Sequence, residues 1–239
     1  MLNYTGISPE GLLLFSENRF RDSKEFYDAH KEEIKRLVLE PMQQIVEALA
    51  DDLRAIDGQL NLTPSRVISR VRRDTRFSRE KHLYRDHAWC TLMRPKGDPK
   101  DRDAPCWPCL WFEILADKNA WDCGVAMSYA NPNSSYMRFF RERAAANPAV
   151  FLAAVEQAAA AGAEPRIEAF KRDQAPPGAP QALKPYLNAK GFYFIHNNPR
   201  LELFRDAGII DILREKYRAF AGMYQFFLES AEDYLITTR

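Results

Sequence analysis

The feature that most constrains the fold is a change of hydrophobic period. Asp22 with Glu25 makes a capping-box pair, after which Phe26, His30, Ile34, Leu37 and Val38 recur at helical spacing until Pro41 interrupts. Met42, Ile45, Val46, Leu49 and Leu53 continue the apolar stripe, which predicts two consecutive or kinked helices ending near Asp57-Gly58. Past that turn the period becomes two. Val67, Ser69 and Val71 alternate with Ile68, Arg70 and Arg72, the pattern of a half-buried strand.

The rest of the chain repeats both patterns. Ser8-Pro9 places a capping residue and a first-turn proline before a short helix through Gly11 to Phe15. Residues 87–93 and 109–115 read as strands, and 121–129 pairs with the latter across Asp117-Lys118-Asn119, so the sheet is antiparallel. Residues 94–108, rich in proline and charge, read as a surface excursion. Asn133-Ser134 caps a helix through Phe139 and Phe140, and residues 148–161 form an alanine-rich helix closed by Gly162. Strands are expected at 166–170 and 191–195, a short helix from Asn198-Pro199, and a long amphipathic helix over 209–235. The Tyr224, Phe226 and Phe227 cluster on that helix reads as core. The expected fold is α+β, a central antiparallel sheet bracketed by N-terminal and C-terminal helices, in a single domain spanning residues 1–239. The loop at 173–180 is too short to be a domain linker.

Composition excludes some classes of function. With 34 Lys and Arg against 33 Asp and Glu, the net charge is +1, whereas general polyanion binders carry a basic excess over a whole face. Nucleic-acid binding therefore ranks last among the readings. No apolar run reaches the roughly 18 to 20 residues of a membrane span, and residues 1–8 lack the basic and apolar parts of a signal peptide. A cytoplasmic protein with its 4 cysteines reduced is expected, without a cofactor.

Against that balance, residues 70–85 carry 7 Arg or Lys and only Asp74 and Glu80 as acids. Arginine's planar fork donates in bidentate fashion to phosphate or carboxylate. The candidate ligand-binding set is Arg70, Arg73, Asp74, Arg76, Lys81, Tyr84 and Arg85, with Phe77 and Tyr84 as an apolar or stacking wall. In the competing reading, Asp74 and Glu80 pair with neighbouring arginines and pin the loop. Asp74, His82 and His87 are the nearest groups for general acid or base work. No Gly-rich phosphate loop, nucleophile elbow or HExxH motif identifies a reaction. Cys106 and Cys109 have CxxC spacing, but a zinc site would also need Cys90 and Cys123 from predicted strands, so no metal is assigned. His30 reads as a packed side chain, and His196 has no acidic or cysteine residue nearby in sequence.

The string from Arg73 to Lys81, RDTRFSREK, followed by Tyr84-Arg85, resembles the signature of the DUF2461 family of uncharacterised proteins, approximately R-D-x-R-F-S-x-D-K-x-P-Y-K. Leu83 stands where that pattern has proline. Residues 18–27 resemble the family's N-terminal N-x-x-x-W-F region, with Phe26-Tyr27 in place of Trp-Phe. Residues 111–141 resemble its strand, turn, strand and helix, with Cys123-Gly124 in place of a glycine doublet, and Leu183-Lys184 with Gly191-Phe192 its C-terminal segment. The resemblance implies a fold and a motif position, and no activity. The leading functional expectation is binding of a small anionic or phosphorylated ligand at the basic strand-loop motif, with hydrolytic or transfer chemistry as an extension. The alternative is a non-catalytic interaction or scaffold domain whose basic loop is structural.

Overall fold

The structure, a computed structural model, describes residues 4–76, 78–95, 107–115, 120–126, 134–198 and 201–238. Phe77, Cys106, the 117–119 turn, Asn133, Pro199 and most of the 94–108 excursion lie outside the described residues. Helix α1 (Pro9–Arg21) begins where the Ser8 hydroxyl accepts from the Gly11 amide at 3.1 Å, and it ends at Asp22 in the left-handed region, φ 47°. The cap of α2 (Lys24–Ile34) is Ser23, one residue later than the expected capping box: its Oγ accepts from the Phe26 amide and donates to Glu25. Asp22 is thereby released for another task.

The interruption expected at Pro41 takes an unusual form. Helix α2 runs through a π-helical segment, Lys35–Leu39, into α3 (Glu40–Ala48), and the Glu40 amide reaches back to the Lys35 carbonyl. Pro41 has no N–H and its ring would clash with the carbonyl four residues back, so a widened turn lets the helix continue. Gly11 of α1 rests on that turn. A β-carbon on Gly11 would lie 2.7 Å from Leu37 Cβ and 3.0 Å from its carbonyl oxygen, which accounts for the glycine inside a helix.

Helices α4 (Ala50–Ile56) and α5 (Pro64–Val67) follow. The strand expected at 67–72 does not form. The segment makes only isolated bridges, Ile68 to Cys90 and Arg72 to Tyr84. Two local causes break the ladder: Pro64 starts a helical turn, and Ser69 uses its hydroxyl to accept from the Trp89 amide at 3.0 Å.

The sheet comprises β1 (His87–Met93), β2 (Cys109–Leu115), β3 (Ala120–Ala126), β4 (Glu164–Ala169) and β5 (Ala189–Asn198), all pairs antiparallel, in the order β1-β2-β3-β5-β4. Between β3 and β4 lie α6 (Ser134–Ala146) and α7 (Pro148–Ala160), the latter followed by Gly162 at φ 84°. A short α8 (Lys184–Leu187) precedes β5, and a 3-10 turn, Leu201–Arg205, leads to α9 (Gly208–Thr238). The fold is α+β, with three helices, α6, α7 and α8, inserted into the sheet's connections as well as helices at both ends. Alternation sorts the β1 side chains: Ala88, Cys90 and Leu92 are buried opposite Ile114, Phe112 and Leu110, whereas His87, Trp89 and Thr91 are half-buried. Over the buried face Phe140 and Phe227 of the helices meet Phe192 at 5.1 and 5.5 Å between ring centroids. Tyr224, Phe226 and Phe227 are core, as expected. No helix among the described residues is long and apolar enough to cross a membrane.

Arg94, placed by sequence on a surface excursion, is instead anchored. Asp57, immediately after α4, has a side chain only 2% exposed. Its carboxylate accepts from Arg94 Nε at 2.7 Å and Nη2 at 3.2 Å, from the Tyr224 hydroxyl at 2.7 Å and from the Gln59 amide at 2.9 Å. Arg94 also reaches Glu232 at 3.0 Å and lies over the Trp107 ring.

Removing the Asp57 carboxylate leaves Arg94 with only the more exposed Glu232 and orphans the Tyr224 hydroxyl and the Gln59 amide, and Asp57→Ala is expected to cost about 3 to 5 kcal/mol of stability in urea unfolding. Burial opposes ionisation of Asp57, but the Arg94, Gln59 and Tyr224 hydrogen bonds outweigh it, and the folded carboxyl is more acidic than a free one. The stabilisation is thus present above the unfolded value of about 4 and is lost as pH falls through the folded value. Asp57→Asn should flatten the acid limb of the stability profile. Gly11→Ala should destabilise by about 1 to 3 kcal/mol through overpacking against Leu37, against the helix-propensity gain alanine normally brings.

Candidate functional site: the basic hairpin

Residues 71–73 and 83–85 run back along each other as a short hairpin. The Arg73 amide donates to the Leu83 carbonyl at 2.8 Å and the Arg85 amide to the Val71 carbonyl at 3.0 Å. Val71 and Tyr84 point inward, 4% and 1% exposed, and the Tyr84 ring lies 4.9 Å from Tyr27 of α2. Tyr84 therefore supports the hairpin from beneath, and burial raises its hydroxyl pKa. The clamp on the hairpin comes from α1. One oxygen of Asp22 accepts from the amides of Leu83 at 2.7 Å and Tyr84 at 3.2 Å, while the other lies 3.3 Å from His82 Nδ1. The left-handed conformation at the end of α1 is one that aspartate tolerates, and it carries this carboxylate to the hairpin.

The seven cations divide into two groups. Arg73 donates to Glu80 at 2.6 Å, and Arg19 of α1 meets the same carboxylate at 2.9 Å. Arg76 grips Asp74 through Nε at 3.0 Å and Nη2 at 2.6 Å. These side-chain bonds, joined by the Arg76 amide, hold Asp74 at a pKa of about 2. Lys81 donates to the Thr75 carbonyl at 3.0 Å. Arg70, Arg72 and Arg79 are exposed and form no ion pair among the described residues. Arg85 is half-buried: its Nε donates to the Arg70 carbonyl at 2.9 Å and its guanidinium lies 4.3 Å from the centroid of the Trp89 ring. It makes no ion pair among the described residues. Burial, then the neighbouring Arg73, lower its pKa, with only Asp86 opposing.

The candidate acid and base groups do not converge as a set. His82 takes Asp22, and His87 Nδ1 lies 2.6 Å from Asp86, whereas Asp74 is engaged with Arg76. Burial opposes ionisation of Asp86, but His87 and Arg19 outweigh it and lower its pKa. For the cysteines, the register aligns Cys90, Phe112 and Cys123 across three strands, with Phe112 between the other two, and pairs Cys109 with Met93 on the alternate side. Cys90 and Cys109 are buried, and burial pushes the Cys90 thiol up. His30 bonds the Phe26 carbonyl at 2.8 Å and stacks on the Phe26 ring, and His196 meets the Gly162 carbonyl at 3.1 Å.

Sequence reasoning missed Arg19, Asp22, Asp86 and Trp89. Arg19 and Asp22 carry no local signal, because their partners lie about sixty residues away. Trp89 had one. Arg85, His87 and Trp89 alternate along the approach to β1, and alternate residues share a face.

Asp22→Ala should cost about 1 to 3 kcal/mol, since it orphans the Leu83 and Tyr84 amides in a half-buried setting. Asp22→Asn, which keeps an acceptor oxygen and tolerates the left-handed region, should recover most of it. Urea unfolding of both variants checks the clamp.

A family model described as "Conserved hypothetical protein (DUF2461)" matches residues 11–226, and the chain belongs to that family. Neither the curated proteins nor the solved structures contain a match.

Proposed function

We propose that this DUF2461 member binds a small anionic or phosphorylated ligand where the hairpin meets β1, with Arg70 and Arg85 as the principal contacts. One observation carries the reading: Arg85 is a half-buried guanidinium without a carboxylate against it among the described residues, and exposed Arg70 stands beside it. A cation partly withdrawn from water is short of compensation, and an arriving phosphate supplies it through charge-assisted, bidentate bonds. Arg72 adds positive field from the same strand-like segment.

The other half of the hairpin has a different job in this reading. Arg73 and Arg76 are neutralised by Glu80 and Asp74, which favours a structural role for that half, as in the scaffold alternative. The two halves answer separate questions in one experiment. Isothermal titration with inorganic phosphate should show binding that Arg85→Gln weakens about tenfold, the loss of one charged hydrogen bond, and that Arg76→Gln leaves unchanged. Absence of any phosphate binding by the parent protein, or equal losses in the two variants, overturns the assignment.

A further inference from the structure

The neighbours of Arg85 define more than a charge. Its guanidinium lies on the Trp89 indole, and the His87 imidazole stacks on the same indole at 4.9 Å between centroids, with 29° between the planes. Three flat groups from alternate residues thus form one column, and His87 keeps 32% of its side-chain surface exposed. The Trp89 backbone pairs with Ser69 through the Ser69 amide at 2.8 Å and the Ser69 hydroxyl at 3.0 Å. Arg70, next in sequence, is therefore fixed beside the column, where its carbonyl receives Arg85 Nε. Asp86 lies between Arg85 and His87 in the chain, its carboxylate holding His87 at 2.6 Å and leaving acceptor capacity for a hydroxyl.

A stack of aromatic and guanidinium planes takes another planar ring readily, because every nucleobase presents a π-face to such a platform. Unpaired arginines beside it take phosphate, and an ionised carboxylate takes sugar hydroxyls, as acidic residues do at ribose. Resting on the anion-binding reading above, we infer that the ligand is a mononucleotide, its base on the Arg85–Trp89–His87 column, its phosphate at Arg70 and Arg85, and its ribose beside Asp86. Mixed charge over the rest of the molecule fits a ligand of this size better than a long polyanion, which needs an extended basic track.

The test is calorimetric titration of the full chain with AMP, ribose 5-phosphate and inorganic phosphate, on the parent protein and on Trp89→Leu and Arg70→Gln. AMP should bind about tenfold tighter than ribose 5-phosphate, the size of one base-stacking contribution. Trp89→Leu should erase that advantage, so that the variant binds AMP and ribose 5-phosphate alike, and Arg70→Gln should weaken both. Should Trp89→Leu fail to fold by circular dichroism, His87→Ala takes its place with the same expectation. Equal binding of AMP and ribose 5-phosphate, or an AMP advantage that survives loss of the stacking residue, overturns the nucleotide assignment and leaves the anion site standing. Failure of all three ligands to bind overturns both. Binding of a thymidine oligonucleotide that tightens steeply with its length overturns the mononucleotide in favour of a single-stranded nucleic acid.

Discussion

A carboxylate sealed from water must be met by donors on every side, and Asp57 is met from three parts of the chain at once: its own turn, the end of β1 and the long α9. Hydrophobic burial supplies most of the driving force for a core of this size, but it is non-directional. Hydrogen bonds of fixed geometry are not. Arg94 fixes where β1 ends against the helices, and because β1 is short, its other end at His87 is placed as well. The basic hairpin feeds into that end. The position of the candidate site thus follows from a buried ion pair on the far side of the strand.

Within the hairpin, geometry rather than ion-pair energy does the holding. Exposed ion pairs such as Arg76 with Asp74 contribute little to stability, typically about 0 to 1 kcal/mol each. Backbone amides left without an acceptor cost more, and Asp22 serves two of them. The ion pairs have another effect. They take Arg73 and Arg76 out of circulation and leave Arg70, Arg72, Arg79 and Arg85 without an ion pair among the described residues, with Arg70 and Arg85 next to the Trp89 column.

Much of the fold was legible because its signals are local. Cys109–Leu115, a short apolar run, is a strand with the bounds expected, and the apolar period over 209–235 lies inside α9. Where the reading failed, a second local preference competed with the first. Alternation at 67–72 lost to the proline-initiated turn at Pro64 and to the Ser69 hydroxyl, and the Asp22 cap lost to Ser23. The basic motif itself was legible as charge, yet its division into paired and unpaired arginines was not. Which arginine finds a carboxylate depends on Arg19 and Asp22 arriving from α1, and no periodicity encodes a partner sixty residues distant.

That distance has a kinetic side. A run of like charges resists compaction on its own, and the hairpin closes onto Asp22 only after about sixty intervening residues have been brought round, a non-local contact whose loop-closure entropy precedes any return. Helices α1 to α4 can form early from local contacts. The hairpin's docking onto Asp22 is non-local, so it is expected to follow them and to open early under native conditions. Amide exchange through Leu83 and Tyr84 would then report on the integrity of α1, and the shape of the candidate site would depend on the docking of a helix some sixty residues away.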